Sequence, residues 1–248
     1  MRTAQIIYNP AAGRFPVAEA IPSAGRVLMD AGFFVNATAT HSGEHATELA
    51  ASAAEKGIDV VFAVGGDGTI GQVASGLIDT DTALGILPAG TANVWGKELG
   101  MKPYSWVARN ALEENVKLLA NSPIYAIDVG VCNHQPFLMW AGLGLDALSV
   151  QKAEPRFRLE KFFTAPEYAA SILLTAVRWR GISLRIWADG EEIEGHYILA
   201  VINNIRHYMG GLTNLSPDAM LDDGLFDLWL FTGNNMADAL RPVFEMWG

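Results

Sequence analysis

One cysteine, Cys132, stands in 248 residues. No intrachain disulfide can form, which fits a reducing compartment such as the cytoplasm. Basic residues are scarce: 17 Lys and Arg face 27 Asp and Glu, for a net charge of −10. Gripping a nucleic-acid backbone needs clustered cations, so this balance argues against nucleic acid as a partner. It also disfavours attraction of the whole surface to anionic lipid. His41, His45, His134, His196 and His207 show no metal-ligand spacing and read as structural or surface residues. No uninterrupted apolar stretch approaches the ~20 residues of a membrane-spanning helix. Met1-Arg2-Thr3-Ala4-Gln5 leads into a strand and is not a signal peptide. Internal repeats and low-complexity tracts are absent, and so is the Gly-x-x-x-x-Gly-Lys-Ser/Thr phosphate loop.

What is there is apolar: half of the residues are hydrophobic, enough for a sizeable core in one large domain or two small ones. The first half alternates strand-like runs (Gln5–Tyr8, Phe33–Ala39, Asp59–Val64, Ala83–Leu87) with helical patterns (Val17–Asp30, Glu44–Lys56, Thr69–Ile78, Ala92–Leu99, Ser105–Leu119). Such alternation predicts a parallel sheet covered on both faces, with ligands bound outside the carboxyl ends of its strands. The loops at Asn9, Thr40, Gly65 and Pro88 all follow strands and so converge on that edge. From about Asn121 the pattern becomes mostly strands: Ile124–Val131, Phe137–Ala141, Ile182–Ala188, Ile193–Asn203 and Leu225–Phe231, with one helical stretch at Pro166–Arg180. Asp189-Gly190 is a hairpin turn signal. The reading is an α/β domain over 1–122, then a mostly antiparallel β-sandwich over 123–248.

The chemistry concentrates at Gly65-Gly66-Asp67-Gly68-Thr69, where a strand ends and a helix begins. Glycines let backbone N–H groups approach a phosphate closely, and the helix N-terminus adds partial positive charge. Asp67 can hold Mg²⁺, and Thr69 can donate to a phosphate oxygen. A literal Gly-x-Gly-x-x-Gly runs through Gly66, Gly68 and Gly71. A dinucleotide site would want an acid at the end of the next strand, about 20 residues on. That strand instead runs into Pro88-Ala89-Gly90-Thr91. A tight turn without ligand is the plainer alternative.

Five ordered segments carry a resemblance. They are Asn9-Pro10-Ala11-Ala12-Gly13; Gly65 to Thr69 with its continuation Ile70-Gly71-Gln72-Val73-Ala74-Ser75-Gly76-Leu77; Leu87-Pro88-Ala89-Gly90-Thr91-Ala92-Asn93; Ala141-Gly142-Leu143-Gly144-Leu145-Asp146-Ala147; and Ser216-Pro217-Asp218-Ala219-Met220-Leu221-Asp222-Asp223-Gly224. Together they resemble the diacylglycerol kinase catalytic-domain family, which includes bacterial lipid kinases, sphingosine kinases and ceramide kinases. The pentapeptide alone is shared with NAD kinases and phosphofructokinase-like proteins. The segment after Thr69 does not look like an NAD kinase.

The resemblance implies an ATP- and Mg²⁺-dependent lipid kinase that transfers the γ-phosphate to a lipid hydroxyl: diacylglycerol-like, phosphatidylglycerol-like or sphingoid. Nucleotide contacts would come from Asn9, Pro10, Ala11, Ala12, Gly13, Thr40, Gly65, Gly66, Asp67, Gly68, Thr69, Ile70, Gly71, Thr91 and Asn93. Thr40 and Thr91 are open to a second reading as helix caps. Asp67 and Asp128 would form a metal-linked carboxylate network, although Asp128 also suits an exposed edge-strand position. Asp223, with the main-chain carbonyls of Met220 and Leu225, would bind a structural Mg²⁺; an ordinary Asp-Gly turn is the alternative. Val94 departs from the pattern, since many family members carry Asp there. The specific lipid is not legible, because generic apolar residues line lipid pockets.

A lipid substrate would have to be met at the membrane surface, which implies transient contact with the inner face of the membrane from the cytoplasm. Arg156, Arg158, Lys161, Phe162, Phe163, Arg178, Trp179 and Arg180 form a basic–aromatic region suited to that contact, or a helix packed on the sandwich with solvated ends. A homodimer is compatible with the sequence. The resemblance also leads us to expect a C-terminal Asp-Gly-Glu-like segment carrying the general base. The chain stops at Glu245-Met246-Trp247-Gly248, inside a helical pattern from near Met236, and its Asp189-Gly190-Glu191 lies too early and reads as a turn. The expectation is a truncated enzyme that binds nucleotide but transfers phosphate poorly. An NAD kinase and a catalytically silent nucleotide- or lipid-binding protein are the alternatives.

Overall fold

Four apolar runs become four parallel strands: β1 (Arg2–Tyr8), β2 (Phe33–Ala39), β3 (Val60–Gly65) and β4 (Ala83–Pro88), in the order β2-β1-β3-β4. The computed structural model describes residues 2–144 and 179–233. Central β3 is apolar at consecutive positions because both of its faces are covered: Val61, Phe62, Ala63 and Val64 are all buried. Edge strand β2 alternates and keeps Phe34 exposed.

Helices α1 (Ile21–Asp30), α2 (Gly43–Glu55) and α3 (Asp67–Ser75) make the crossovers; α4 (Val94–Glu98) and α5 (Ala111–Leu119) follow β4. One face packs α1 and α5 on Ile6, Phe62, Val64 and Leu87, with Leu28, Leu112 and Val116 filling the layer. On the other face α2 packs against α3. Ser42 caps α2 by accepting from His45 N at 3.1 Å. Gly32 and Gly57 end α1 and α2 with φ of 87° and 67°, the left-handed conformation that glycine adopts without steric cost.

Register puts the carboxyl ends level. Tyr8 pairs with Ala39 on one side and Val64 on the other, and Gly65 pairs with Pro88. At the opposite end Thr3 N and Oγ1 both donate to Asp59 Oδ2, at 2.6 and 2.8 Å, and Thr3 Oγ1 accepts from Asp59 N at 3.0 Å.

The chain divides into two compact units. The first is Met1–Ile127 with His207–Leu212, and the second is Asp128–Arg206 with Thr213–Gly248. Within the second, β5 (Gly130–Cys132) pairs with β6 (Gln135–Phe137), and β8 (Ile182–Ala188) pairs with β9 (Glu191–Tyr197). β10 (Leu199–Asn203) is the centre of a three-stranded antiparallel sheet, between β7 (Trp140–Gly144) and β11 (Asp227–Phe231). The two-residue turn between β8 and β9 has Asp189 and Gly190 at φ 51° and 85°, as the hairpin signal requires. A parallel α/β domain followed by antiparallel sheets is therefore the fold.

Several element readings change. The helix expected over Ser105–Leu119 begins only at Ala111; residues 105–108 instead close a tight turn bridging Ser105 and Ala108. Of the strand expected over Ile124–Val131, only Gly130 and Val131 are strand, within β5 (Gly130–Cys132). Ile124 and Tyr125 are exposed, so their apolar character has no sheet to serve. The run Ile193–Asn203 is two strands: β9 stays in its hairpin, the chain breaks at Ile198, and β10 joins the other sheet. In the helical stretch expected over Pro166–Arg180, Trp179 and Arg180 are not helical; the rest, and the helix from near Met236, lie outside the described residues.

Candidate nucleotide site

Three loops on the carboxyl edge of the parallel sheet interlock through their main chains. After β1, Asn9 N donates to Val64 O at 3.0 Å. The Asn9 side chain then works in two directions. Its Oδ1 accepts from Ala11 N at 2.9 Å, folding Pro10-Ala11-Ala12 into a turn, and its Nδ2 donates to Thr69 Oγ1 at 3.2 Å. Gly13 closes this loop with φ 63°, and a Cβ there would lie 2.2 Å from Ala89 O. After β4, Ala89 N donates to Gly65 O at 2.8 Å. A Cβ on Gly90 would lie 2.3 Å from Gly66 Cα. Backbones at this distance admit no side chain on Gly90, which is required for packing alone, whereas a Cβ on Gly66 would make a tight contact of 3.3 Å with Gly90 Cα.

Gly68 and Gly71 differ. A Cβ on either would meet nothing within 4 Å, and neither has a positive φ. Among the described residues nothing therefore requires glycine at these two positions. A ligand approaching the backbone would.

Asp67 is the first residue of α3, with Gly66 as its N-cap. Its Oδ1 accepts from Trp95 N at 3.0 Å. Trp95 is the second residue of α4, so Asp67 caps a helix from a distant stretch of the chain. The need is plain, because the residue in the capping position of α4, Asn93, makes no side-chain cap bond. Asn93 sits at φ 50°, in the left-handed region, and both ends of its amide are committed to Gly90, accepting from N at 2.7 Å and donating to O at 3.0 Å.

The expected site residues thus fall into groups. Asn9, Pro10, Ala11, Ala12, Gly13, Gly65, Gly66, Asp67, Gly68, Thr69, Ile70, Gly71, Thr91 and Asn93 lie on the three loops or the first two turns of α3. Thr91 is exposed at a loop tip, whereas Asn93 is buried and shapes its loop. Thr40 directly follows β2 on the same edge, is buried, and donates its N–H to Tyr8 O at 2.8 Å. Val94, where an acid is common in the family, is buried at the start of α4.

Asp128, Met220, Asp223 and Leu225 belong to the second unit. Asp128 N donates to Leu221 O at 2.7 Å, and its Oδ2 accepts from Gly224 N at 2.7 Å, so this acid ties down the 221–224 loop. Asp223 Oδ1 accepts from Leu225 N at 3.1 Å, which makes a local turn. Asn204 Nδ2 donates to the carbonyls of Asp128 and Leu138, while its buried Oδ1 has no partner among the described residues. Of the basic–aromatic region, Trp179 donates its indole N–H to Ile198 O at 2.8 Å, and residues 156–163 and Arg178 lie outside the described residues.

Sequence reasoning missed the lock on α4. Glu98 is buried and lies 2.6 Å from His207 Nδ1, and it also accepts from His207 N at 3.3 Å. Lys97 Nζ donates to Gly210 O at 2.7 Å. No local pattern could pair residues more than a hundred positions apart.

Among the described residues no group of three or more His, Cys, Asp and Glu could hold a metal ion. A hard cation such as Mg²⁺ tolerates this, because it keeps waters and binds through one or two carboxylates plus substrate phosphates. Asp67, at a helix N-terminus among glycines, fits that donor set.

Comparison with known proteins converges on one group. The model of the diacylglycerol kinase catalytic domain matches residues 3–132, and that of the YegS C-terminal NAD kinase beta sandwich-like domain matches residues 141–247. The diacylglycerol kinase of Bacillus subtilis is 30% identical over 243 residues, covering 97% of this chain and 77% of that protein. The diacylglycerol kinase of Staphylococcus saprophyticus is 29% identical over 239 residues, covering 96% and 75%. A crystal structure of a diacylglycerol kinase from Bacillus anthracis superposes with a TM-score of 0.76 at 25% identity, over 99% of this chain and 80% of that one. With the interlocked glycine loops and the sheet beneath them, these matches make the chain a member of the diacylglycerol kinase catalytic-domain family, a family of lipid kinases.

Proposed function

We propose that this protein transfers the γ-phosphate of ATP to the hydroxyl of a diacylglycerol-like lipid. The observation that carries the proposal is the pair Gly68 and Gly71, open positions on the first turns of α3 where no described residue would crowd a side chain and an approaching phosphate would. Backbone N–H groups and the α3 dipole would receive the phosphates there. Asn9 orients Thr69 Oγ1 for the same task. Mg²⁺ held by Asp67 would neutralise charge developing on the transferred group. Asp67 keeps α4 capped while doing so, which ties the metal position to the Pro88–Asn93 loop. In the second unit Asp223, with the carbonyl oxygens of Met220 and Leu225, would hold a structural Mg²⁺, and Asp128 would keep that loop in place.

The lipid would be met at a membrane surface, since no helix among the described residues is long and apolar enough to cross a bilayer. The test is transfer from γ-labelled ATP to a panel of diacylglycerol, phosphatidylglycerol, a sphingoid base and NAD, with and without Mg²⁺. Labelled diacylglycerol product that depends on Mg²⁺ is expected. Label appearing in NAD alone, or in nothing while nucleotide still binds, would overturn the proposal.

A further inference from the structure

An exposed aromatic turn rises beside the phosphate loops. Ser105 and Ala108 bridge back to back, Ser105 N donating to Ala108 O at 3.5 Å and Ala108 N to Ser105 O at 3.2 Å, and Trp106-Val107 form the tip. Trp106 is 64% exposed and Val107 is 97% exposed. Single exposed apolar residues are ordinary; here two adjacent ones are held at the tip of a hydrogen-bonded turn. Rigidity comes from the stems. Tyr104 N donates to Pro88 O at 2.8 Å, buried Asn115 donates to Lys102 O at 2.8 Å, and Ala108 O accepts the N–H of Ala111 at 3.2 Å, where α5 begins.

Two neighbours complete the turn. Phe15 meets the Trp106 ring edge-on at 6.1 Å between centroids and 77° between planes, and Arg109 lays its guanidinium 4.3 Å from the Trp106 centroid. Lys102 is engaged elsewhere, bridging to Glu114 at 2.6 Å. The tip therefore presents an indole, an isopropyl group and one cation, in a chain that is otherwise acidic. Indole rings settle at the lipid–water boundary, and guanidinium groups settle on headgroup phosphates. The anchors fix the location. Phe15 lies two residues after Gly13, which closes the Asn9–Gly13 loop, and Pro88 opens the Pro88–Asn93 loop, so the turn stands among the proposed phosphate loops of its own unit.

We infer that Trp106 and Val107 enter the interfacial layer of an anionic bilayer, with Arg109 on the headgroup phosphates, and so hold the phosphate loops at the depth of a lipid hydroxyl. The inference rests on the lipid-kinase reading above and adds to it the surface that finds the membrane.

The test uses the whole chain with vesicles of phosphatidylcholine containing about 30% phosphatidylglycerol, and with phosphatidylcholine alone. Val107→Asp should lower partitioning about tenfold or more, because it puts a charge where an apolar side chain would enter the bilayer interface. Arg109→Ala should lower it about fivefold on the anionic vesicles only. Val107 touches no core, so the variant should melt like the parent. Turnover of a short-chain diacylglycerol dissolved as monomers should be unchanged in Val107→Asp while turnover on vesicles falls. Equal partitioning of Val107→Asp and parent, or no partitioning by the parent, would overturn the inference. So would a self-associated form that Val107→Asp dissociates without affecting vesicle binding, for the turn would then face a second copy. A parent that partitions through this turn yet phosphorylates no lipid would support the surface and refute the kinase reading.

Discussion

Asp67 carries two duties that substitution can separate. Its carboxylate caps α4 through Trp95 N and, in the proposed reaction, positions Mg²⁺. Asparagine keeps an oxygen able to accept from Trp95 N but loses the charge. Asp67→Asn should therefore leave the melting temperature nearly unchanged and lower phosphoryl transfer by about 10² or more. Asp67→Ala should lose transfer and also the cap, about 1 kcal/mol, which lowers the melting transition of its own unit by a few degrees. Calorimetry beside the transfer assay checks both; parental turnover in folded Asp67→Asn would remove the metal role. Asp59 offers a second residue-level expectation. The N–H of Thr3, and then its hydroxyl, hold the Asp59 carboxyl below its ordinary value of 3.8. The folded state thus favours the ionised form, and that contribution is complete above the ordinary value and lost as pH falls through the lower folded one. Asp59→Asn should cost stability at pH 5 and less at pH 3, in urea melts at both. The effect should be small, because the group is exposed and screened.

At the scale of elements, glycines in one site do different work. Gly90→Ala would press a methyl group onto Gly66 Cα and push the two loops apart, so it should lower the melting temperature even without ligand. Gly68→Ala meets nothing among the described residues and should melt as the parent does, yet weaken the stabilisation that ATP and Mg²⁺ give by mass action. Thermal shift with and without nucleotide separates them; an unchanged nucleotide shift in Gly68→Ala would argue against a phosphate at α3. The elements themselves were largely legible. Strand–helix alternation foretold the parallel sheet, and strand ends foretold the four convergent loops, because burial on both faces writes itself as continuous apolar runs such as Val61–Val64. Local pattern failed where tertiary context decides. Ser105–Asn110 looked helical because its apolar spacing continues into α5, but Tyr104 is bound to Pro88 and the chain must turn first. Ile193–Asn203 is uniformly strand-like, and nothing local marks Ile198 as the point where it changes sheets. The Asp67 cap on α4 was illegible for a related reason: it joins residues 28 apart, beyond any helical or strand period.

At the scale of the whole molecule, sequence order hides where the segment His207–Leu212 belongs. His207–Leu212 follows most of the second unit in the chain, yet belongs to the first, where His207 Nδ1 lies 2.6 Å from buried Glu98. Glu98 ends the helix that Asp67 caps, so the phosphate loop, α4 and this distant segment form a single mechanical series. Two compact units should give two unfolding transitions, and ligand bound to one should raise that transition by mass action. ATP with Mg²⁺ should therefore raise the transition of the unit that contains Asp67. His207→Ala removes a close partner from a buried carboxylate, a loss worth about 1–3 kcal/mol. The expected result is a fall in the nucleotide-responsive transition, with the other transition left in place. Glu98→Gln should fall less, since an amide oxygen can still accept from His207 N. Scanning calorimetry of the full chain, with and without nucleotide, reads all of this at once. If His207→Ala instead lowers only the transition that ATP does not move, the segment draws its stability from the second unit, and the series through α4 is broken at Glu98.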